Sequence, residues 1–324
     1  MAQNANDDVL LEVSQLKKYY PLAGGHALHA VDDVSFSVRR GTTLGIVGES
    51  GCGKTTCGKT CIGMLPKTAG QVRFDGMDVH ALGRSERRAF SRRVQMVFQD
   101  PYASLDPQQK VYDIVAEGIR IHRLAPSRAA ERQMVHQLLE QVGLPAAYAQ
   151  RHAHEFSGGQ RQRVGIARAL SVNPDFLLLD EPVSALDVSL QAQIVNLLLR
   201  LQRERGLTML FIAHDLAVVR QVSDEVAVMY LGQVMEQAPA DELYRTPMHP
   251  YTQALLSAVP VPDPQVARTR QRVVLAGDAP SPVDPGPGCR FCTRCPKRLD
   301  TCERQAPPLV EVAPGHLVRC HRCG

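Results

Sequence analysis

The sequence predicts an α/β fold built around a phosphate-binding loop, and three observations carry that reading. Gly48-Glu-Ser-Gly-Cys-Gly-Lys-Thr55 fits G-x-x-x-x-G-K-[ST] and follows the apolar run Thr43–Val47. Phe176–Leu179 is a second apolar run, ending on the carboxylates Asp180 and Glu181. Strand-like and helix-like segments alternate around both, the pattern of a parallel sheet with helices between its strands.

Taken in order, Leu10–Lys18 and Val31–Val38 show the alternation and β-branched content of half-buried strands. Thr43–Val47 is a strand into the glycine loop, and a helix is expected from about Gly53 to Met64. Gln71–Phe74 and Val94–Phe98 are further strands. Between them Arg84, Arg87, Arg88, Arg92 and Arg93 read as the solvated face of a helix. From about Val111 to Leu170 the character is helical. Ser127–Val142 places Met134, Val135, Leu138, Leu139 and Val142 at helical spacing behind a capping Ser127, and Ser157–Leu170 starts on a second glycine turn. The helix Val188–Arg203 should bury Leu190, Ile194, Leu197, Leu198 and Leu201, and Thr208–Ala213 and Glu225–Tyr230 complete the sheet. After Ala258 proline and glycine become frequent at Val259–Pro264 and Ala279–Gly288, as in a linker.

Composition narrows the partners. Apolar residues at 44% and charged residues at 22% suit a soluble globular chain, and a net charge of +4 over 324 residues gives no sign of nucleic-acid binding. No apolar run reaches the ~18 residues of a membrane span. Met1–Asp8 has no basic-then-apolar leader, so the chain is expected to stay in the cytosol and to meet a membrane only through partners. Of nine cysteines, Cys52, Cys57 and Cys61 lie in or just after the glycine loop; Cys289, Cys292, Cys295, Cys302, Cys320 and Cys323 crowd the C-terminal segment. In a reducing compartment such a cluster reads as metal binding before disulfides.

The chemistry follows from residue type and place. Gly48, Gly51 and Gly53 let backbone amides close on an anion, with Ser50, Cys52 and Thr56 completing the loop. Lys54 supplies a point charge to β- and γ-phosphates, and the Thr55 hydroxyl suits Mg²⁺. Asp180 suits direct or second-layer contact with that ion, while Glu181 is one residue on and can deprotonate water. Gln99, at the end of its strand, is expected to contact metal or water, and His214 to reach the γ-phosphate. Cys52, beside Lys54 at a helix N-terminus, is expected to be an acidified thiol that reagents modify and ATP protects.

Together these motifs resemble an ATP-binding cassette (ABC) ATPase. They are the phosphate loop 48–55 and Gln99, the signature Ser157-Gly158-Gly159-Gln160, the acidic strand end Asp180-Glu181, Ser184-Ala-Leu-Asp187 and His214. Phe156 stands where many members have leucine. The resemblance implies a mixed sheet with an antiparallel β subdomain: a core at 1–109 and 173–258, a helical insertion at 110–172, and a cysteine-rich extension at 259–324. It also implies that Tyr20, or alternatively Tyr19, stacks on adenine. In this family the signature of one subunit closes over ATP held by another, so Ser157–Gln160 is expected to serve a partner's nucleotide.

The C-terminal residues narrow the family. His249-Pro-Tyr251 and the tail Gly288-Cys289…Arg294-Cys295-Pro296…Cys302…His316-Leu-Val-Arg-Cys320 resemble ATPases of oligopeptide and dipeptide importers, and Glu155-Phe-Ser-Gly-Gly-Gln-Arg-Gln-Arg163 with Gly165-Ile-Ala-Arg168 resembles their F-type subunit. This implies a paralogous D-type ATPase partner (or a second copy), two membrane permeases, a substrate-binding protein and a place on the cytoplasmic face of the membrane. Nickel or glutathione importers share the tail pattern, and a nucleic-acid-associated ABC ATPase is the reading from another class. For the tail, three readings stand: free cysteines, zinc at Cys-x-x-Cys spacing, or a [4Fe–4S] cluster on Cys289, Cys295, Cys302 and Cys320.

Overall fold

The computed structural model describes residues 8–259 and 280–323, with 273, 275 and 277; residues 260–264 and 279 of the expected linker stretches lie outside them. Along the chain run β1 (Val9–Pro21), β2 (Ala27–Arg39), β3 (Thr43–Val47), α1 (Lys54–Cys61), β4 (Ala69–Phe74) and β5 (Met77–Asp78). Then come α2 (Arg84–Arg93), β6 (Val94–Val97), α3 (Val111–Ile121), α4 (Arg128–Gln141), α5 (Gly158–Leu170), β7 (Phe176–Asp180) and α6 (Val188–Arg205). The last part holds β8 (Thr208–Ala213), α7 (Leu216–Val222), β9 (Glu225–Tyr230), β10 (Gln233–Pro239), α8 (Ala240–Arg245), α9 (Pro250–Ala258), β11 (Val310–Ala313) and β12 (His316–Val318). No helix among the described residues is long and apolar enough to cross a membrane.

The chain forms two compact units. The first comprises Met1–Val38, Thr43–His80 and Ala213–Gly324. Its antiparallel sheet has the order β2-β1-β4-β5, with Leu11 opposite Phe74 and Val13 opposite Val72. Its second ladder is mixed. β3 pairs parallel with β9, Leu44 opposite Glu225, while β9, β10, β12 and β11 continue antiparallel. The sequence reading stopped at β9 and missed β10 to β12. Met235, Glu236 and Val318 are buried there, although Glu236 breaks the apolar pattern. That carboxylate accepts from the Met248 and His249 amides and meets His316 Nε2 at 2.8 Å, so its burial is matched by partners.

The second unit, Arg39–Thr42 with Ala81–Ile212, stacks β6, β7 and β8 in parallel, Val94 opposite Phe176 and Asp180 opposite Ile212. Every residue of β7 and β8 is buried, as expected for strands covered on both faces. α2 buries only Phe90, so its arginines do form a solvated face. The Ser127 side chain caps α4 by accepting from the Ala130 amide. α6 buries Ile194, Val195, Leu197, Leu198 and Leu201, while Leu190 is half-buried beside Gly159.

Candidate functional site: a phosphate loop and a catalytic strand end

The phosphate loop leaves β3 where backbone contacts are tight. Thr43 N donates to Asp224 Oδ2 at 2.7 Å and Asp224 N returns a bond to Thr43 O, which anchors the strand's start. At its other end a Cβ on Gly48 would lie 2.1 Å from Met229 O and 2.8 Å from Cys52 Sγ, so only glycine fits. Gly53 caps α1 from the left-handed region, φ 102°, with no side-chain cap. A helix start without such a cap leaves its first amides to an anion. Lys54, 4% exposed, donates through Nζ to Gly48 O at 2.8 Å and Glu49 O at 2.9 Å, which folds the ammonium across the loop. This cradle fits a nucleotide's phosphates. Thr55 and Thr56 follow on the first turn, half-buried, and Ser50 is exposed at the tip.

Cys52 does not behave as expected. It is 4% exposed, and burial pushes its thiol pKa up, against the opposing pull of Lys54. Water is excluded from the thiolate, and that outweighs the nearby cation. Its place is structural: Gly232 N donates to Cys52 O at 2.9 Å.

In the second unit, β7 delivers Asp180 buried, 2% exposed. The next residue turns sharply, Glu181 taking φ 45°, rare for a residue with a side chain. Its amide donates to Ile212 O at 2.9 Å, and Gln99 Nε2 donates to its Oε2 at 3.0 Å. Two strand ends therefore bring Gln99 and Glu181 together. Ser184 Oγ donates to Glu181 O, and Asp187 Oδ1 caps α6 through the Leu190 amide. Ser157 starts α5 with a reciprocal box: its Oγ accepts from Gln160 N, and its amide donates to Gln160 Oε1. Gly158 and Gly159 open that helix. His214 is exposed just after β8, in the first unit, where Asp215 caps α7.

Comparison with known proteins decides what this set is. Residues 31–184 match the family model described as ABC transporter, and 235–302 match the oligopeptide/dipeptide transporter C-terminal region. The chain is 50% identical to the oligopeptide transport ATP-binding protein AppF of Bacillus subtilis, over 98% of both chains. It is 51% identical to OppF of the same organism, over 96% of each. The chain belongs to the ABC transporter ATP-binding proteins of the oligopeptide type. Among solved structures the dimeric, ADP- and Pi-bound cassette MJ0796 matches at TM-score 0.65 and 28% identity, covering 71% of this chain and 99% of that one. As an ABC ATPase the protein uses ATP with Mg²⁺.

In this ABC ATPase the residues around the loop include several that motif reading did not single out. Tyr251 Oη accepts from Glu49 N at 3.0 Å, so His249-Pro-Tyr251, quoted above only for kinship, backs the phosphate loop. His249 caps α9, its Nδ1 accepting from the Tyr251 amide, and burial lowers its pKa to about 4. Arg294 Nη1 donates to both Glu49 oxygens, at 3.1 and 2.9 Å, from within the cysteine segment. Of the two candidate adenine aromatics, Tyr19 is committed elsewhere. Its ring stacks on His29 at 3.9 Å and its hydroxyl donates to Asp32. Burial, with that carboxylate, pushes its pKa up. The Lys18 ammonium lies over the Tyr20 ring, at 4.6 Å.

The tail cysteines do not form the expected ligand set. Among the described residues no group of three or more Cys, His, Asp or Glu side chains is placed to hold a metal ion. Cys289, Cys295, Cys302 and Cys320 are free thiols, as are Cys292 and Cys323. Burial, with Cys302, Cys292 and Cys295 nearby, pushes the Cys289 thiol up to about 11. The [4Fe–4S] and zinc readings have no support in the described residues. The segment is held otherwise: Cys289 N donates to Cys302 O at 2.7 Å, and Phe291, 1% exposed, packs on Tyr230, Tyr251 and His249.

Proposed function

We propose that the protein is the ATP-hydrolysing subunit of a di- or oligopeptide importer and powers transport by nucleotide-driven closure of a dimer. The observation that carries this reading is the joining, in one chain, of the Gly48–Thr55 cradle to a C-terminal region of the oligopeptide/dipeptide type. The relatives' names favour peptide over nickel or glutathione, and nothing in them favours nucleic acid.

In this reading the amides of Gly48 to Thr56 and the Lys54 ammonium bind the phosphates, and Tyr20 stacks on adenine. Mg²⁺ bound with ATP neutralises phosphate charge, held by Thr55 and by Gln99, with Asp180 in support. Glu181 is the base that takes a proton from the attacking water. The Gln99 amide, already hydrogen-bonded to that carboxylate, orients it. His214 contacts the γ-phosphate. Ser157–Gln160 presents a helix N-terminus to the ATP of a partner subunit, which the dimeric, ADP- and Pi-bound state of the MJ0796 cassette supports. The partner is a paralogous D-type chain, with a second copy as the alternative. The pair binds two permeases at the cytoplasmic face of the membrane, and a substrate-binding protein delivers peptide to those permeases.

Replacing Glu181 by Gln tests the assignment. Hydrolysis should fall by about 10²- to 10⁴-fold while ATP binding is kept. With ATP the variant should accumulate as a dimer in size-exclusion chromatography. Turnover at the wild-type rate would remove Glu181 from the role of base.

A further inference from the structure

Glu49 sits between Gly48 and Ser50 in the phosphate loop, and each of its three polar handles is held by a different part of the chain. Its amide donates to Tyr251 Oη at 3.0 Å, its carbonyl accepts from Lys54 Nζ at 2.9 Å, and its carboxylate accepts from Arg294. Arg294 is a nearly buried cation, its side chain 10% exposed, with a further contact to Tyr230 Oη at 3.4 Å. Four residues earlier Arg290, 8% exposed, pairs with Asp32 at 2.5 Å. Between them the buried Phe291 is wedged among Tyr230, Tyr251 and His249. Burying two guanidinium groups is costly unless each meets a well-placed carboxylate. Both do, and one of those carboxylates belongs to the loop that grips phosphate.

We propose that Arg294 is a positioning residue for ATP. The cysteine segment 289–295 straps the phosphate loop through Glu49, and the loop's affinity for nucleotide depends on that strap. With its side chain, amide and carbonyl all fixed, residue 49 cannot rotate, so the peptide planes that follow it keep their amides turned into the cradle. Releasing the carboxylate frees those planes, and ordering them again then falls on ATP binding. The inference rests on Gly48–Thr55 being the phosphate site.

The test uses the full-length protein. Arg294→Met should weaken equilibrium binding of ATP about five- to twentyfold, a usual range for coupled sites, with kcat at saturating ATP changed less than about twofold. Thiol modification of Cys52, read by mass spectrometry, should quicken as the loop loosens. Arg294→Lys should recover most of the affinity, and Arg294→Met with Glu49→Gln should bind no worse than either alone. If Arg294→Met does not fold, Glu49→Gln alone should show the same loss. Wild-type ATP affinity in either folded single variant overturns the strap. Lys54→Ala separates the two claims: if it loses ATP while Arg294→Met keeps it, only the strap fails. Unchanged binding in Lys54→Ala would instead sink the phosphate-site assignment.

Discussion

Helices α1 and α5 both start from glycine-rich turns, yet their first turns are satisfied in different ways. α1 begins from Gly53 in the left-handed region with no side-chain cap, behind a loop braced by Tyr251, Lys54 and Arg294. α5 begins from Ser157 in a capping box with Gln160, which meets two of its polar groups within the helix itself. The first is a cradle held open by the rest of its unit. The second is a helix end whose own capping box meets its polar groups, which suits the role proposed for it towards a partner subunit's ATP.

The contrast breaks most directly at Gly48. In Gly48→Ala the new methyl would lie 2.1 Å from a backbone oxygen, so the loop must shift, and we expect ATP affinity to fall about a hundredfold or more in a binding titration. An alanine variant that binds normally would show that the cradle tolerates movement.

The brace on the α1 side should also be acid-sensitive. His249 is held neutral at about 4, against an ordinary 6.5, by burial. Between these values the unfolded chain carries a proton that the folded one does not. Stability is therefore full above about pH 6.5 and declines as pH falls towards 4, by about 3 kcal/mol at the lower end. Urea midpoints across that range should flatten in His249→Gln. An equally steep slope in the variant would assign the acid sensitivity to other groups.

A smaller effect is expected at Tyr251→Phe, which removes the acceptor of the Glu49 amide and should cost about 1–3 kcal/mol of stability by urea unfolding. ATP binding should weaken with it. The smallest is Ser157→Ala, where loss of the cap should cost about 1 kcal/mol. Monomeric ATP binding should stay at the wild-type level. If it weakens as at Gly48, the two glycine turns are not distinct in function.

Much of this was legible in the sequence because it is written locally. Thr43–Val47, Thr208–Ala213 and Glu225–Tyr230 appear as strands at the residues expected, and Ser127 caps the helix assigned to it. The phosphate loop, the acids after β7 and the signature are short contiguous motifs whose spacing states their chemistry. β10 was missed because its buried Glu236 breaks the apolar pattern, and its partners lie at residues 248, 249 and 316. Cys52 was misread because a neighbouring lysine is visible in sequence while burial is not.

By itself the sequence determined the cassette family, the nucleotide and the residues at each strand end, since backbone geometry and residue type suffice for those. Only the tertiary structure decided what holds the loop in place. Tyr251 and Arg294 lie more than 200 residues from Glu49, and contacts across such separations depend on packing that no local pattern records. The same holds for the tail. Its cysteine spacing suggested a metal staple, which the described residues do not support, and the contacts they show there are a buried phenylalanine and paired arginines.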